Sequence, residues 1–258
     1  MNLTDLKTIK SILAKYENSA KKFLGQNFLT SQEALDKIVE APQIKANEHI
    51  LEIGPGLGVL TRELAKKAKK VTSIELDKSL FPILEETLEG FSNIELIHAD
   101  ALRTDPPKGK YKVVANIPYN ITSPLINHYL QAANKPESIT ILIQKEVAEK
   151  IVKLTPDMTV LSLQVALFGE AKIIDIVKSD CFHPAPKVDS AIIHIKVHKD
   201  INVEESLKIL KLAKRAFKQR RKKLSNTLGD MKDKLIKLGV EDKRPQHLEI
   251  EDWKKLLK

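Results

Sequence analysis

The chain has 258 residues and a single cysteine, Cys181, so an internal disulfide and a cysteine-based metal site are both excluded. Its net charge of +9 favours an anionic partner, most often a nucleic acid. No run approaches the roughly 18 apolar residues of a membrane span, and the histidines show no metal-ligand spacing, so neither a membrane nor a metal is expected as a partner.

The N-terminal stretch, residues 1–22, alternates charged residues with Leu and Ile. It lacks the apolar core and cleavage site of a signal peptide. It contains no Arg and includes Asp5 and Glu17, unlike a mitochondrial transit peptide. A cytoplasmic protein is therefore expected.

Short apolar runs alternate with amphipathic helical patterns over the first two-thirds of the chain. This alternation predicts a parallel, doubly wound α/β sheet. The predicted strands span residues 49–53, 71–76, 94–98, 111–115 and 138–143.

Two further strand-like runs, 172–177 and 191–197, flank a Pro-rich loop and predict a hairpin-like pair that makes the sheet mixed. Beyond about residue 199 no strand pattern is visible, and Lys, Leu and Glu dominate. We therefore predict an α/β domain over residues 1–198 and a small all-α domain over residues 199–258.

A glycine-rich loop, Leu-Glu-Ile-Gly-Pro-Gly-Leu-Gly at residues 51–58, follows the first strand and opens a predicted helix over residues 60–69. Glycine lets the backbone turn sharply and approach a ligand, and a helix N-terminus offers free N–H groups. Gly54 and Gly56 thus indicate a nucleotide-type cofactor loop, with a purely structural turn as the alternative. The loop alone does not distinguish NAD from S-adenosyl-L-methionine.

Carboxylates end the next two strands. Glu75 is placed to accept hydrogen bonds from ribose hydroxyls, with Asp77 as a competing candidate. Asp100 could accept from the exocyclic amine of an adenine, and a turn or helix-cap aspartate is an equally good interpretation. The glycine loop and two acids together suit an adenosine, in either cofactor.

The fourth strand runs into Asn-Ile-Pro-Tyr at residues 116–119, for which a nicotinamide enzyme has no evident use. An exocyclic aromatic amine is a poor nucleophile because its lone pair is delocalised into the ring. The side-chain oxygen of Asn116 and a backbone carbonyl of Ile117 or Pro118 can accept its N–H bonds and favour a pyramidal nitrogen. Tyr119 can stack on the base, and the rate would come from positioning and fixed dipoles.

Several segments carry a family resemblance. Asn-Ile-Pro-Tyr resembles the motif of adenine-N6 methyltransferases, and Lys-Phe-Leu-Gly-Gln-Asn-Phe-Leu resembles the N-terminal signature of the ribosomal RNA adenine dimethylases. The resemblance implies a Rossmann-like class I methyltransferase with a mixed, mostly parallel seven-stranded sheet, plus a small C-terminal all-α domain. The matching segments occur in family order, at residues 22–29, 116–119, 144–148, 182–190 and 216–224.

The resemblance also implies roles for individual residues. Asn27 and Leu29 would line the methionine end of S-adenosyl-L-methionine, and Asn116 would contact both cofactor and target. Phe182 would stack on the target base opposite Tyr119, whereas without the family it would be taken for a core residue. The other implied cofactor contacts are those suggested by the residues themselves, Gly54, Gly56, Glu75 and Asp100.

The family has a small-subunit and a large-subunit branch. Pro-Lys-Val-Asp-Ser at residues 186–190 resembles the small-subunit branch, which dimethylates two adjacent adenines near the 3′ end of small-subunit rRNA during ribosome biogenesis. The loop at residues 154–163 departs from the family because it lacks a Tyr-Gly pair, which leaves its contact with RNA open. The alternatives are the macrolide-resistance branch, an RNA-binding assembly factor without catalysis, and a nicotinamide dehydrogenase.

A strongly basic stretch, residues 208–223, contains no acid. Its helical spacing predicts one cationic face for RNA phosphates, with an ordinary solvated face as the alternative. A monomer is expected, since no sustained heptad is present. The predicted RNA-binding residues are Lys211, Arg215, Lys218, Arg220, Arg221 and Lys222.

Overall fold

The computed structural model describes residues 1–257. Its strands are β1 (Phe28–Leu29), β2 (His49–Ile53), β3 (Lys70–Glu75), β4 (Ile94–His98), β5 (Lys112–Asn116), β6 (Ser138–Gln144), β7 (Gly169–Val177), β8 (Phe182–His183) and β9 (Ser190–Val197). Its helices are α1 (Leu6–Lys15), α2 (Gln32–Glu40), α3 (Val59–Lys67), α4 (Phe81–Thr87), α5 (Thr122–Gln131), α6 (Lys145–Val152), α7 (Val160–Phe168), α8 (Val203–Phe217), α9 (Leu224–Thr227), α10 (Lys232–Lys237) and α11 (Ile250–Leu257).

Seven strands form one sheet in the order β4-β3-β2-β5-β6-β9-β7. The pairs β4–β3, β3–β2, β2–β5 and β5–β6 are parallel, and β6–β9 is antiparallel. All seven predicted strands are confirmed within a few residues of their predicted bounds, and so is the mixed, mostly parallel sheet. The parallel order brings the carboxyl ends of β2, β3, β4 and β5 to the same edge.

The central strands are apolar on both faces because helices cover both sides of a parallel sheet. Val113, Val114 and Ala115 of β5 are fully buried. One apolar cluster packs side chains of α2 and α3 against the sheet. A second joins α1 and α4 to Phe28 and to Leu57 of the glycine loop, which anchors that loop from the N-terminal side.

A second, two-stranded sheet was not predicted. It pairs β1 with β8 in antiparallel register, Phe28 opposite His183 and Leu29 opposite Phe182. Each strand has two residues, too few to show a period in the sequence. This ladder fixes the segment that carries Asn27 and Leu29.

The structure divides into two compact units, one of residues 1–148 and 172–196, the other of residues 149–171 and the chain from Val197 onward. The second unit begins near the predicted boundary, but it also includes residues 149–171, which the prediction of 1–198 placed in the first domain. The reason lies in α7, which has six buried residues and packs on α8 and α11. A helix buried on most of its surface needs neighbours on several sides.

The basic stretch is not one helix, and the prediction of a continuous helical face over residues 208–223 is wrong. Helix α8 ends at Phe217, and the next residues form turns in which Lys218, Gln219 and Lys222 donate to carbonyls three residues back. Six consecutive polar residues provide no apolar side chain to hold another helical turn against the core. None of the helices within residues 1–257 has the length and apolar character needed to span a bilayer.

Candidate active site

A cavity opens at the sheet edge where the strand ends meet. It is bounded by the segment before β1, the glycine loop after β2, the ends of β3 and β4, and the Asn-Ile-Pro-Tyr segment after β5. Its lining includes Phe23, Gly25, Asn27, Leu29, Gly54, Gly56, Glu75, Leu76, Asp100, Asn116, Pro118 and Tyr119. The structure therefore brings together every predicted cofactor residue and three of the four predicted catalytic residues.

The glycine loop is shaped by left-handed backbone. Gly54 has φ +68° and Gly56 has φ +59°, where a side chain is strained. A Cβ at Gly56 would also lie 3.4 Å from the ring of Phe28. The loop thus brings its backbone to the cavity wall at the start of α3, with no side chain at Gly54 or Gly56 to keep a ligand away.

Glu75 is the last residue of β3 and is only 6% exposed. Its carboxylate accepts from the N–H of Asp77 at 2.8 Å and from the N–H of Gly56 at 3.3 Å. Burial raises the pKa of Glu75, and these backbone donors partly offset that increase. The carboxylate is therefore held beside the glycine loop, where ribose hydroxyls could reach it.

Asp77, the competing candidate, does not line the cavity. Its carboxylate accepts from Lys21 Nζ at 2.6 Å and from Gln26 Nε2 at 2.8 Å. Burial would raise the pKa of Asp77, but hydrogen bonds from Lys21, Ser79 and Gln26 outweigh it and lower the pKa to about 2. Asp77 anchors the segment before β1, so Glu75 is the better candidate for the ribose.

Asp100 lines the cavity, where it could contact a ligand, and it also serves as a turn aspartate. The two interpretations left open by the sequence are therefore compatible. Oδ1 of Asp100 accepts from the N–H of Leu102 at 2.9 Å, which makes it a turn aspartate. Its Oδ2 lies 3.5 Å from Nε of Arg103, whose side chain is 87% exposed. The second oxygen can therefore still take a ligand amine.

Asn116 ends β5, and its Nδ2 donates to the carbonyl of Asn27 at 3.3 Å. This bond orients the amide so that Oδ1 remains the acceptor. The hydroxyl of Tyr119 shares a hydrogen bond with Ser190 Oγ at 2.6 Å. Burial raises the pKa of Tyr119, so the phenol stays neutral and its ring is fixed.

Phe182 is placed differently from the expectation. It is 4% exposed, lies in the apolar cluster under α2 and α3, and pairs with Leu29 across the β1–β8 ladder. It is absent from the cavity lining. The ladder turns this ring into the core, so the placement does not support stacking opposite Tyr119.

Three features were missed from the sequence, two in the site and one outside the cavity lining. One is the hydrogen-bond network of Asp77 with Lys21 and Gln26. No sequence pattern connects Asp77 with residues more than 50 positions earlier. Another is Phe23, which lines the cavity yet is 80% exposed. The third is Glu52, a wholly buried carboxyl on β2 that accepts from Ser73 Oγ at 2.6 Å. A glutamate inside an apolar strand was the available signal.

The predicted RNA-binding residues lie in the second unit, and all six are exposed. Arg215 forms an ion pair with Asp230 at 2.6 Å. Arg220 and Arg221 line a recess, and the other basic residues of that recess are Lys150, Lys153 and Arg244. No group of His, Cys, Asp or Glu side chains within residues 1–257 is arranged to hold a metal ion.

A family model described as ribosomal RNA adenine dimethylase matches residues 17–256. The chain belongs to this family. A ribosomal RNA small subunit methyltransferase A from Dehalococcoides mccartyi strain CBDB1 is 41% identical over 96% of this chain and 90% of its own length. The sequence-based predictions of the family and of a methyltransferase are thus confirmed.

Solved structures of dimethylases and related methyltransferases share the fold. A dimethyladenosine transferase from Plasmodium falciparum is 29% identical, with a TM-score of 0.77 over 89% of this chain and 95% of that one. The 23S rRNA methyltransferase ErmE is 30% identical, with a TM-score of 0.74 over 89% of this chain and 98% of that one. These likenesses confirm the class I methyltransferase fold predicted for this dimethylase.

Proposed function

We propose that this dimethylase transfers methyl groups from S-adenosyl-L-methionine to N6 of two adjacent adenines near the 3′ end of small-subunit rRNA. It would act on immature small subunits in the cytoplasm, as a monomer, during ribosome biogenesis. The observation that carries the proposal is the Asn116–Tyr119 segment in one cavity with the glycine loop. A 41% identical relative named for the small subunit favours that substrate over large-subunit rRNA.

The cavity residues fit S-adenosyl-L-methionine. Glu75 would accept from the ribose hydroxyls, and Oδ2 of Asp100, which has only the exposed Arg103 as a partner, would accept from the adenine amine. Gly54 and Gly56 would meet the ligand through their backbone, and Asn27 and Leu29 would line the methionine end. When bound, the cofactor supplies an electrophilic methyl group on a sulfonium.

The Asn-Ile-Pro-Tyr segment would prepare the nucleophile. Because Nδ2 of Asn116 is taken by Asn27, its Oδ1 would accept one N–H of the target amine. The carbonyl of Ile117 or Pro118 would accept the other, and Pro118 sets the direction of the chain there. Tyr119, held by Ser190, would stack on the base.

This arrangement needs no strong general base. The N–H protons become acidic only after the nitrogen has gained the methyl group, and oxygen acceptors already stand at those protons. The rate would therefore come from orientation and preorganised dipoles. The exposed cations of the second unit, Lys211, Arg215, Lys218, Arg220, Arg221 and Lys222, would neutralise rRNA phosphates.

The test is transfer of labelled methyl from S-adenosyl-L-methionine to unmethylated small subunits, with unmethylated large-subunit RNA in parallel. We expect label in two adjacent small-subunit adenines. Asn116→Ala should reduce turnover by roughly 100-fold or more, since removing one preorganised donor or acceptor at a reacting group costs about that much. Asn127→Ala, on α5 and outside the cavity lining, should leave turnover unchanged.

The outcomes separate the candidates. Label confined to large-subunit RNA would assign the chain to the large-subunit branch. The 23S rRNA methyltransferase ErmE, which shares the fold and is 30% identical to this chain, acts on that RNA. Binding of small subunits without any label would leave an assembly factor and refute catalysis. Full activity of Asn116→Ala would refute the role given to that side chain.

A further inference from the structure

Phe23 is exposed in a way the fold does not explain. It lies in a short 3₁₀ turn, Lys22–Leu24, and is 80% exposed, the most exposed of the large apolar side chains in residues 1–257. A ring with so little burial adds little to folding stability. Yet it lines the same cavity as Asn116 and Tyr119, so its position is at the mouth of the reaction site.

The turn that carries Phe23 is anchored on both sides. Lys21 and Gln26 bind the Asp77 carboxylate, and the Lys21 N–H donates to Gln26 Oε1 at 2.8 Å. Gly25, at φ +68°, packs so tightly on Pro118 that a Cβ there would lie 3.1 Å from the proline Cβ. The ring is therefore presented from a fixed backbone beside the segment that would hold the target amine.

The surroundings of Phe23 suit a nucleotide better than an apolar protein partner. Lys22, which directly precedes Phe23 in the chain, is exposed. Proteins that bind single-stranded nucleic acids pair an aromatic face with a nearby cation, so that a base stacks on the ring and a phosphate meets the ammonium group. The cavity it borders would take an unstacked adenine, which leaves the neighbouring base without its stacking partner.

We propose that Phe23 stacks on the base adjacent to the adenine held in the cavity. This inference rests on the proposed function. Because the two target adenines are adjacent, the second adenine stacks on the Phe23 ring while the first is methylated. Phe23 replaces the lost base–base stacking and so holds the strand in register, which makes it a positioning residue.

The experiment compares Phe23→Ala, Phe23→Leu and Phe23→Trp in methyl transfer to unmethylated small subunits. We expect Phe23→Ala to lower kcat/KM roughly fivefold or more through KM, because base–aromatic stacking measured by alanine substitution has at least that effect. Phe23→Trp should retain the wild-type kcat/KM because it keeps an aromatic face. Phe23→Leu, which is apolar but has no π-face, should lose activity as Phe23→Ala does. Leu6→Ala, a matched exposed apolar residue outside the cavity lining, should match the wild type.

Thermal stability and affinity for S-adenosylhomocysteine are measured alongside the kinetics. Both should be the same in the Phe23 variants as in the wild type. If Phe23→Ala is as active as the wild type, or Phe23→Leu equals Phe23→Trp, the stacking role is refuted. Weaker cofactor affinity without a change in KM for subunits would make Phe23 a cofactor cover and refute it too.

Failure of the proposed function is distinguishable. If the wild type methylates no small subunit, the affinities of the wild type and of Phe23→Ala for small subunits are measured directly and compared. Equal retention of wild type and Phe23→Ala then refutes the inference, and weaker retention of Phe23→Ala alone supports it.

Discussion

Glu52 shows how one residue can set a pH dependence. It is 1% exposed, and burial raises its pKa from 4.5 to about 7, although the hydrogen bond from the Ser73 hydroxyl partly counters this. The folded protein thus holds this proton more tightly than the unfolded chain. Its contribution to stability is complete below about pH 4.5 and is lost as the pH rises through about 7.

Glu52→Gln should remove this dependence because the amide does not ionise. At pH 8 the free energy of unfolding of Glu52→Gln should exceed that of the wild type by up to about 3 kcal/mol, and the difference should shrink towards pH 5. Urea unfolding at pH 5, 6, 7 and 8 measures it. Glu89→Gln, an exposed glutamate, is the control. Parallel pH profiles of wild type and Glu52→Gln would contradict the assignment.

At the scale of elements, the segment of residues 21–27 depends on Asp77. The lysine–aspartate pair is largely buried, at 29% and 4% side-chain exposure, so losing one partner leaves an uncompensated charge. Asp77→Asn should therefore loosen the segment, speed amide hydrogen exchange there, and weaken S-adenosylhomocysteine binding several-fold. Exchange elsewhere in the sheet should change little.

Hydrogen-exchange mass spectrometry and calorimetric titration test this, with the exposed Asp36→Asn as control. Because the pKa of Asp77 is about 2, the anchor is charged throughout neutral conditions, and the effect should not vary between pH 6 and 8. Unchanged exchange over residues 21–27 in Asp77→Asn would show that the β1–β8 ladder alone holds the segment.

Elements also show where sequence reasoning succeeds. Strands β2, β3, β5 and β6 were predictable because most of their residues are buried on both faces and form largely apolar runs. Gly54, Glu75 and Asn116 were predictable because parallel topology gathers strand ends. Phe182 was not, since only the two-residue β8 ladder turns its ring into the core.

The limits of sequence reasoning have tertiary causes as well. Lys, Arg and Gln are good helix formers, so local propensity continued α8 beyond Phe217, where no core residue follows to stabilise it. In the same way, chain order placed α7 with the first domain, whereas its apolar surface is covered by α8 and α11.

For the whole molecule, the excess charge of +9 should appear as a salt dependence of rRNA binding. Each phosphate neutralised releases counterions, so the logarithm of the binding constant falls linearly with the logarithm of salt concentration. Arg220 and Arg221 are exposed and line a recess with three other cations and one acid, Asp157. The lining is therefore net positive, and its potential adds to that of each arginine. They should therefore contribute more than an isolated surface lysine does.

Arg220→Gln and Arg221→Gln should each make that slope shallower by about one, and should weaken binding of small subunits at low salt more than at high salt. Lys237→Gln removes the same charge from exposed α10, outside the recess, and should leave the slope nearly unchanged. Filter binding over a range of salt concentrations gives all four slopes. Since the substitutions remove one charge each, equal slopes for all three variants would mean that total charge, rather than the recess, determines the affinity for rRNA.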